Sequence, residues 1–135
     1  MMEKARLIDI PRIYDPRGNL SFLQEQDGLL PFSIKRVYWT YDVPAGEHRG
    51  EHAHIVGHEL IVAVSGSFNV NLFDGKEWQT YTLNRPFTGL YVPPHYWRTL
   101  DNYSSGSVMM VLSSEEFSES DYIRNFDQYL ARLCR

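Results

Sequence analysis

The stretch "GEHRGEHAHIVGHELIVAVSG", Gly46 to Gly66, holds four of the chain's five histidines and decides how the rest is read. Residues two apart on an extended strand project to the same side. His52 and His54 therefore point together, with small Ala53 facing away. Glu59 follows, and glycines at 46 and 66 bracket the unit as G-x5-H-x-H-x4-E-x6-G. Two histidines and a carboxylate that converge in this way serve either as metal ligands or as acid–base groups in a cavity. His58 lies outside the fixed positions and is expected to face solvent. His48 and His95 carry no expected catalytic role.

Around this unit, turn signals recur at short intervals: "DPRG" at 15–18, "PAG" at 44–46, "SGS" at 65–67, "NRP" at 84–86, "VPPH" at 92–95 and "NYSSG" at 102–106. Short apolar or alternating runs separate them, which is the pattern of an all-β sandwich or barrel. In "SFNVNLF", Phe68, Val70 and Leu72 share one strand face while Asn69 and Asn71 take the other. The Asp74–Gly75 pair reads as the hairpin turn into the next strand. Only the end of the chain changes period. Ile123, Phe126, Leu130 and Leu133 recur at helical spacing, which predicts a packing helix over about 119–133, capped by Ser118 or Ser120. The expected architecture is one domain over 1–135, an all-β barrel at about 5–115 followed by a single helix.

The 135 residues suffice for one hydrophobic core and not for two. A net charge of -4 gives no general attraction to nucleic acid or anionic membrane, so an anionic ligand must be held by local arginines. Cys134, the single cysteine, has no partner for an internal disulfide. The opening "MMEKARLIDI" lacks the apolar run of a signal peptide, and a cytoplasmic location is the expectation.

The five fixed positions of the histidine unit resemble the first sequence motif of the cupins, small jelly-roll β-barrels whose interior holds a metal or a substrate. The second cupin motif supplies a further histidine. Here the matching segment is "GLYVPPHYWRTLDN", with Arg98 in the histidine slot. A guanidinium stays protonated and has no lone pair to offer a metal. Arg98 points instead to an anionic or carbonyl-bearing ligand, although His52, His54 and Glu59 with water remain a possible metal set.

A closer resemblance covers about Ile10 to Leu130. "DPRGNL", "SIKRVY", "RGEHAH", "GLYVPPHYW" and "SDYIRN" together resemble the dTDP-4-oxo-6-deoxyglucose 3,4-ketoisomerases, the WxcM-like cupins. The resemblance implies an isomerase that moves a carbonyl from C4 to C3 of a dTDP-linked 4-keto-6-deoxyhexose, without metal or other cofactor. It also implies a homodimer that exchanges N-terminal strands and supplies deoxysugars for surface glycans such as lipopolysaccharide O-antigen. The family's reactive centre falls here on His52, His54 and Tyr38.

The chemistry suits these residue types. Shifting a ketone to the adjacent carbon requires a proton to leave C3 and one to arrive at C4 through an enediol. One histidine near its ordinary pKa can do both, and His52 is the expected base. Tyr38 can exchange the oxygen-bound protons, with His54 positioning or buffering. Arg98 is the expected partner of the enediolate, and Arg49 and Arg17 of the diphosphate or sugar rim. Three alternatives remain open at this point: a metallo-cupin, a cupin that binds a sugar nucleotide without changing it, and a 3,5-epimerase.

Overall fold

A computed structural model describes residues 3–134. Its strands are β1 (Arg6–Asp9), β2 (Arg12–Ile13), β3 (Leu20–Ser21), β4 (Arg36–Thr40), β5 (Arg49–His54), β6 (Glu59–Ser65), β7 (Phe68–Phe73), β8 (Trp78–Leu83), β9 (Thr88–Val92), β10 (Trp97–Asp101), β11 (Val108–Ser113) and β12 (Tyr122–Ile123). One helix, α1 (Phe126–Leu133), closes the chain. Two five-stranded antiparallel sheets, ordered β1-β9-β6-β11-β4 and β12-β5-β10-β7-β8, face each other as the expected cupin-like barrel. The short β2–β3 hairpin stands apart from both.

Strand parity decides what enters the barrel. On β6, Ile61 and Ala63 join Phe68, Val70, Leu72, Leu90, Leu100 and Val111 in the central core, while Leu60 and Val62 face outward. Glu59 shares the parity of Ile61 and is therefore carried inside. The outward residues are roofed by Leu23, Leu30, Phe32 and Ile34 from the segment before β4. On β4, Tyr38 packs against the core, whereas Trp39 and, just beyond the strand, Tyr41 are 60 % and 61 % exposed.

The β5–β10 pairing contains a bulge. Arg98 lies opposite His52, but Leu100 lies opposite Arg49. Gly50 accommodates it with φ of 73°, and a Cβ there would run into the Leu100 side chain. The bulge re-aims Arg49 relative to His52 at the mouth of the barrel.

The C-terminal helix is shorter than its sequence period predicts. Ser118 precedes a 3₁₀ turn, Glu119–Asp121, and its side chain caps nothing. Tyr122 and Ile123 then pair with His54 and Ala53 of β5, and strand pairing overrides helical spacing there. The helix begins where Asn125 accepts a hydrogen bond from the Gln128 N–H at 2.9 Å. Tyr129 and Phe126 pack against Trp97, Ala53 and Ile123, on the outside of the sheet that carries the histidines.

Candidate active site

Six inward side chains from five strands meet at one end of the barrel: Tyr38 on β4, His52 and His54 on β5, Glu59 on β6, Arg98 on β10 and Tyr122 on β12. Apart from His54 they line a cavity of about 240 Å³, with Arg49 and Arg124 among its other walls. That lies below the roughly 300–1,000 Å³ of pockets that enclose a drug-sized ligand, so it accepts one ring rather than an entire nucleotide-sugar. A larger apolar groove of about 430 Å³ lies on the other sheet, away from these groups, between Val62, Met110, Phe22 and Phe87.

The site divides into two linked branches. In the first, Glu59 is fully buried and accepts a short charge-assisted hydrogen bond from Arg98 Nη1 on one oxygen. Its other oxygen accepts the Tyr38 hydroxyl at 2.6 Å. Burial alone would push the Glu59 pKa up. The Arg98 guanidinium and the hydrogen bond from Tyr38 oppose it, and the carboxyl is held below the usual carboxylate range. Burial and then the Glu59 charge push the Tyr38 phenol well above its ordinary value, so it stays protonated. Arg36 stacks over the Tyr38 ring at 4.9 Å and lies 4.0 Å from Glu59.

In the second branch His52 Nε2 and His54 Nε2 are 3.1 Å apart, so one ring donates to the other. His54 Nδ1 lies 2.8 Å from the Asp121 carboxylate, and its Nε2 lies 3.5 Å from Glu59. Burial, then Arg98 and His54, push the His52 pKa down to about 2. The sequence placed this group near its ordinary value; enclosure beside a guanidinium is what moves it. His52 is thus a neutral ring with a free lone pair throughout the physiological range.

These shifts set the acid limb of stability. The folded His52 value lies below its ordinary 6.5, so below about pH 6.5 the unfolded chain binds a proton that the native state refuses. The contribution of Glu59 is complete above its ordinary 4.5 and is lost as pH falls further. Both act in one direction. The melting temperature is expected to hold from pH 7.5 to about pH 6.5 and to fall from there to pH 5 through His52, by at most about 1.4 kcal/mol per pH unit, with Glu59 adding to the fall only below about pH 4.5. Thermal melts across that range test it, and a flat or rising profile would contradict the electrostatic description.

The donor set suits a metal ion poorly. Although donor atoms of His52, His54 and Glu59 lie within 4.8 Å of one another, both Glu59 oxygens are engaged and a fixed guanidinium stands beside them. Arg98 is 1 % exposed, and its Nε and Nη2 have no partner among the described residues. Buried orphan donors call for an acceptor oxygen, such as a carbonyl or an enolate, not for a cation.

Arg17 is not brought to this site. It sits between β2 and β3 with its side chain 89 % exposed and paired with Asp15 at 2.9 Å, so within a single chain it stands apart from the cavity. His58 also differs from expectation. It is half-buried on the opposite face, 2.7 Å from the Tyr91 hydroxyl and stacked on Phe32, because the parity that turns Glu59 inward turns its neighbour outward beneath the roof. His48 is exposed, 4.0 Å from Asp101. The His95 N–H supports the His54 carbonyl at 2.9 Å.

Sequence reasoning missed Asp121, Tyr122, Arg36 and Arg124 as members of the site. All four lie in the recognised stretches "SDYIRN" and "SIKRVY", where for Asp121, Arg124 and Arg36 a charged residue beside a strand was the available signal.

A family model described as "FdtA: WxcM-like, C-terminal" matches residues 3–133. A protein of Aneurinibacillus thermoaerophilus named TDP-4-oxo-6-deoxy-alpha-D-glucose-3,4-oxoisomerase is 43 % identical over 131 residues, covering 95 % of this chain and 94 % of that one. The fold is similar to the crystal structure of a 3,4-ketoisomerase from Thermoanaerobacterium thermosaccharolyticum, a histidine-to-asparagine variant in complex with TDP-4-keto-6-deoxyglucose. The TM-score is 0.92 at 35 % identity, covering 98 % of this chain and 95 % of that one. A 3,4-ketoisomerase from Helicobacter canadensis superposes with a TM-score of 0.94 at 32 % identity, covering 99 % and 100 %.

Proposed function

The chain belongs to the FdtA, WxcM-like family, and on that premise we propose that it moves the carbonyl of a TDP-linked 4-keto-6-deoxyglucose from C4 to C3. It is an isomerase of the 3,4-ketoisomerase class. One observation carries the assignment of roles: a neutral histidine, a protonated phenol and the Arg98 guanidinium line the same ring-sized cavity.

In the proposed sequence the C3–H bond breaks and its proton passes to His52. Negative charge then develops on O4 beside Arg98, in a setting where preorganised donors act strongly. Tyr38 gives a proton to O4, which yields the enediol, and recovers one from O3–H. His52 returns its proton to C4, so protons balance with no external acid or base. Glu59 accepts the Tyr38 hydroxyl at rest and so holds the phenol oriented and protonated before and after the two exchanges. Arg49 and Arg124, at the rim, are placed to meet the diphosphate outside the ring cavity.

Substrate labelled with 13C at C4 tests this reading. With EDTA-treated enzyme the labelled carbonyl resonance is expected to give way to a carbinol resonance, at a rate that added divalent metal does not change. A label that stays carbonyl, or turnover that requires the metal, would overturn the proposal.

Tyr38→Phe is expected to lower kcat by about 10²-fold while substrate Kd holds, because the lost hydroxyl serves proton exchange. Initial rates beside calorimetric binding read this out. Loss of binding instead would make Tyr38 a ligand contact.

The same reading proposes a homodimer, and surface apolarity supports it. Edge strand β4 exposes Val37 and Trp39, and the apolar groove lies on the same sheet. A cytoplasmic place in surface-glycan synthesis belongs to the proposal. Among the described residues, no helix is long and apolar enough to cross a membrane.

A further inference from the structure

Asp121 takes no part in the transfers described above, yet its carboxylate is fixed from four directions. One oxygen accepts the backbone N–H groups of Ile55, Val56 and Gly57 at 3.1, 2.7 and 3.3 Å. The other lies 2.8 Å from His54 Nδ1. The chain also closes tightly over this contact. A Cβ on Gly57 would stand 2.7 Å from Asp121 Oδ2 and 3.3 Å from His54 Nδ1. No side chain there could coexist with the pair undisturbed.

We propose that Asp121 is a positioning residue: it pins the Nδ1–H tautomer of His54, so that His54 Nε2 accepts from His52 and steadies the proton His52 takes from C3. The inference rests on the ketoisomerase reading of the site.

The geometry fixes the tautomers in turn. A carboxylate only accepts, so His54 Nδ1 donates to it. In the neutral ring, His54 Nε2 then carries a lone pair aimed at His52 Nε2, 3.1 Å away. His52 must donate through Nε2, which leaves its Nδ1 as the basic atom. Among the described residues that nitrogen makes no hydrogen bond. When the C3–H bond breaks and the proton arrives on His52, the Nε2–H···Nε2 bond becomes charge-assisted, with the Asp121 charge immediately beyond. The proton later returns to C4, or is replaced from solvent while it rests on His52. The other groups facing the two rings are Glu59 at 3.5 Å from His54, the Tyr122 ring at 4.5 Å from the His54 ring, and Arg98 and Arg124 near His52. Of these, Asp121 alone meets His54 Nδ1. Third-residue orientation of a catalytic histidine is worth about 10⁴-fold in a serine protease triad.

Asp121→Asn separates orientation from structure. The amide oxygen still accepts the three backbone N–H groups, whereas its NH2 turned toward His54 cannot accept from Nδ1. The expected result is a kcat lower by about 10²–10⁴-fold, with KM within about threefold and deuterium exchange at C3 slowed in parallel. A kcat within threefold of wild type, or a loss confined to KM, would overturn the proposal. Nitrogen-15 NMR of histidine-labelled wild-type enzyme at pH 7.5 gives a second test that needs no variant. His54 should show a protonated Nδ1 and an unprotonated Nε2; the opposite tautomer would overturn the proposal even if Asp121→Asn failed to fold. Wild-type turnover separates the two claims. An inactive wild type sinks the functional reading, while equal turnover in wild type and variant sinks this one.

Discussion

His52→Asn is expected to lower kcat by about 10²–10⁴-fold, the range of a general base, while leaving substrate binding in place. Asparagine keeps the polar, planar character of the imidazole but has no lone pair basic enough to take a carbon-bound proton. The expected signature is specific. Deuterium exchange at C3 should disappear with turnover, because both depend on the same first transfer, while Kd measured by calorimetry stays within a few-fold. Exchange that persists in this variant would move the base elsewhere, with His54 the nearest candidate. Stability offers an independent reading of the same residue. The wild-type acid limb below pH 6.5 arises partly from a buried His52 that refuses its proton. His52→Asn should therefore flatten the melting profile between pH 7.5 and pH 5.

The largest effect on stability is expected from Arg98→Met. Arg98 is 1 % exposed and Glu59 wholly buried, and each supplies the charge that makes burial of the other tolerable. Breaking a buried pair by removing one partner costs about 3–5 kcal/mol, because the remaining charge has neither water nor a counterion. The sign of the pH dependence follows. Without the guanidinium, the depression of the Glu59 pKa is lost and burial raises it instead. Glu59 can then escape the penalty by taking up a proton, so the variant should be less destabilised at pH 5 than at pH 7.5. Urea unfolding at the two pH values checks both parts. A loss below about 1 kcal/mol, or one that grows toward acid, would contradict the pairing described here. Turnover should fall as well, since the donors facing O4 leave with the side chain.

The barrel and the two histidines were legible because strand parity is local information. Ala53 between His52 and His54, and the alternation of Asn69 and Asn71 with Phe68, Val70 and Leu72, fix faces without knowledge of the partner strands. Tyr38 was not legible from its own strand. In "RVYWTY" both faces carry aromatics, since β4 is an edge strand whose outer face leaves Trp39 exposed. The Arg98–Glu59 pair joins residues 39 apart, and the sequence offered Glu59 only as a metal ligand. Asp121 was hidden further still. It stands 67 residues from His54, inside a run whose period reads as helix, and it reaches the site because Tyr122 pairs with His54 on β5. The low pKa of His52 depends on enclosure that no spacing rule conveys.

Proton NMR of TDP-4-oxo-6-deoxyglucose with EDTA-treated enzyme in deuterated buffer tests the central claim most directly. The account predicts a 3-keto product with solvent isotope at C4 and none at C5, and the couplings at H4 of the product made in ordinary water give its configuration. Unchanged substrate, or isotope entering at C5 without movement of the carbonyl, would contradict it.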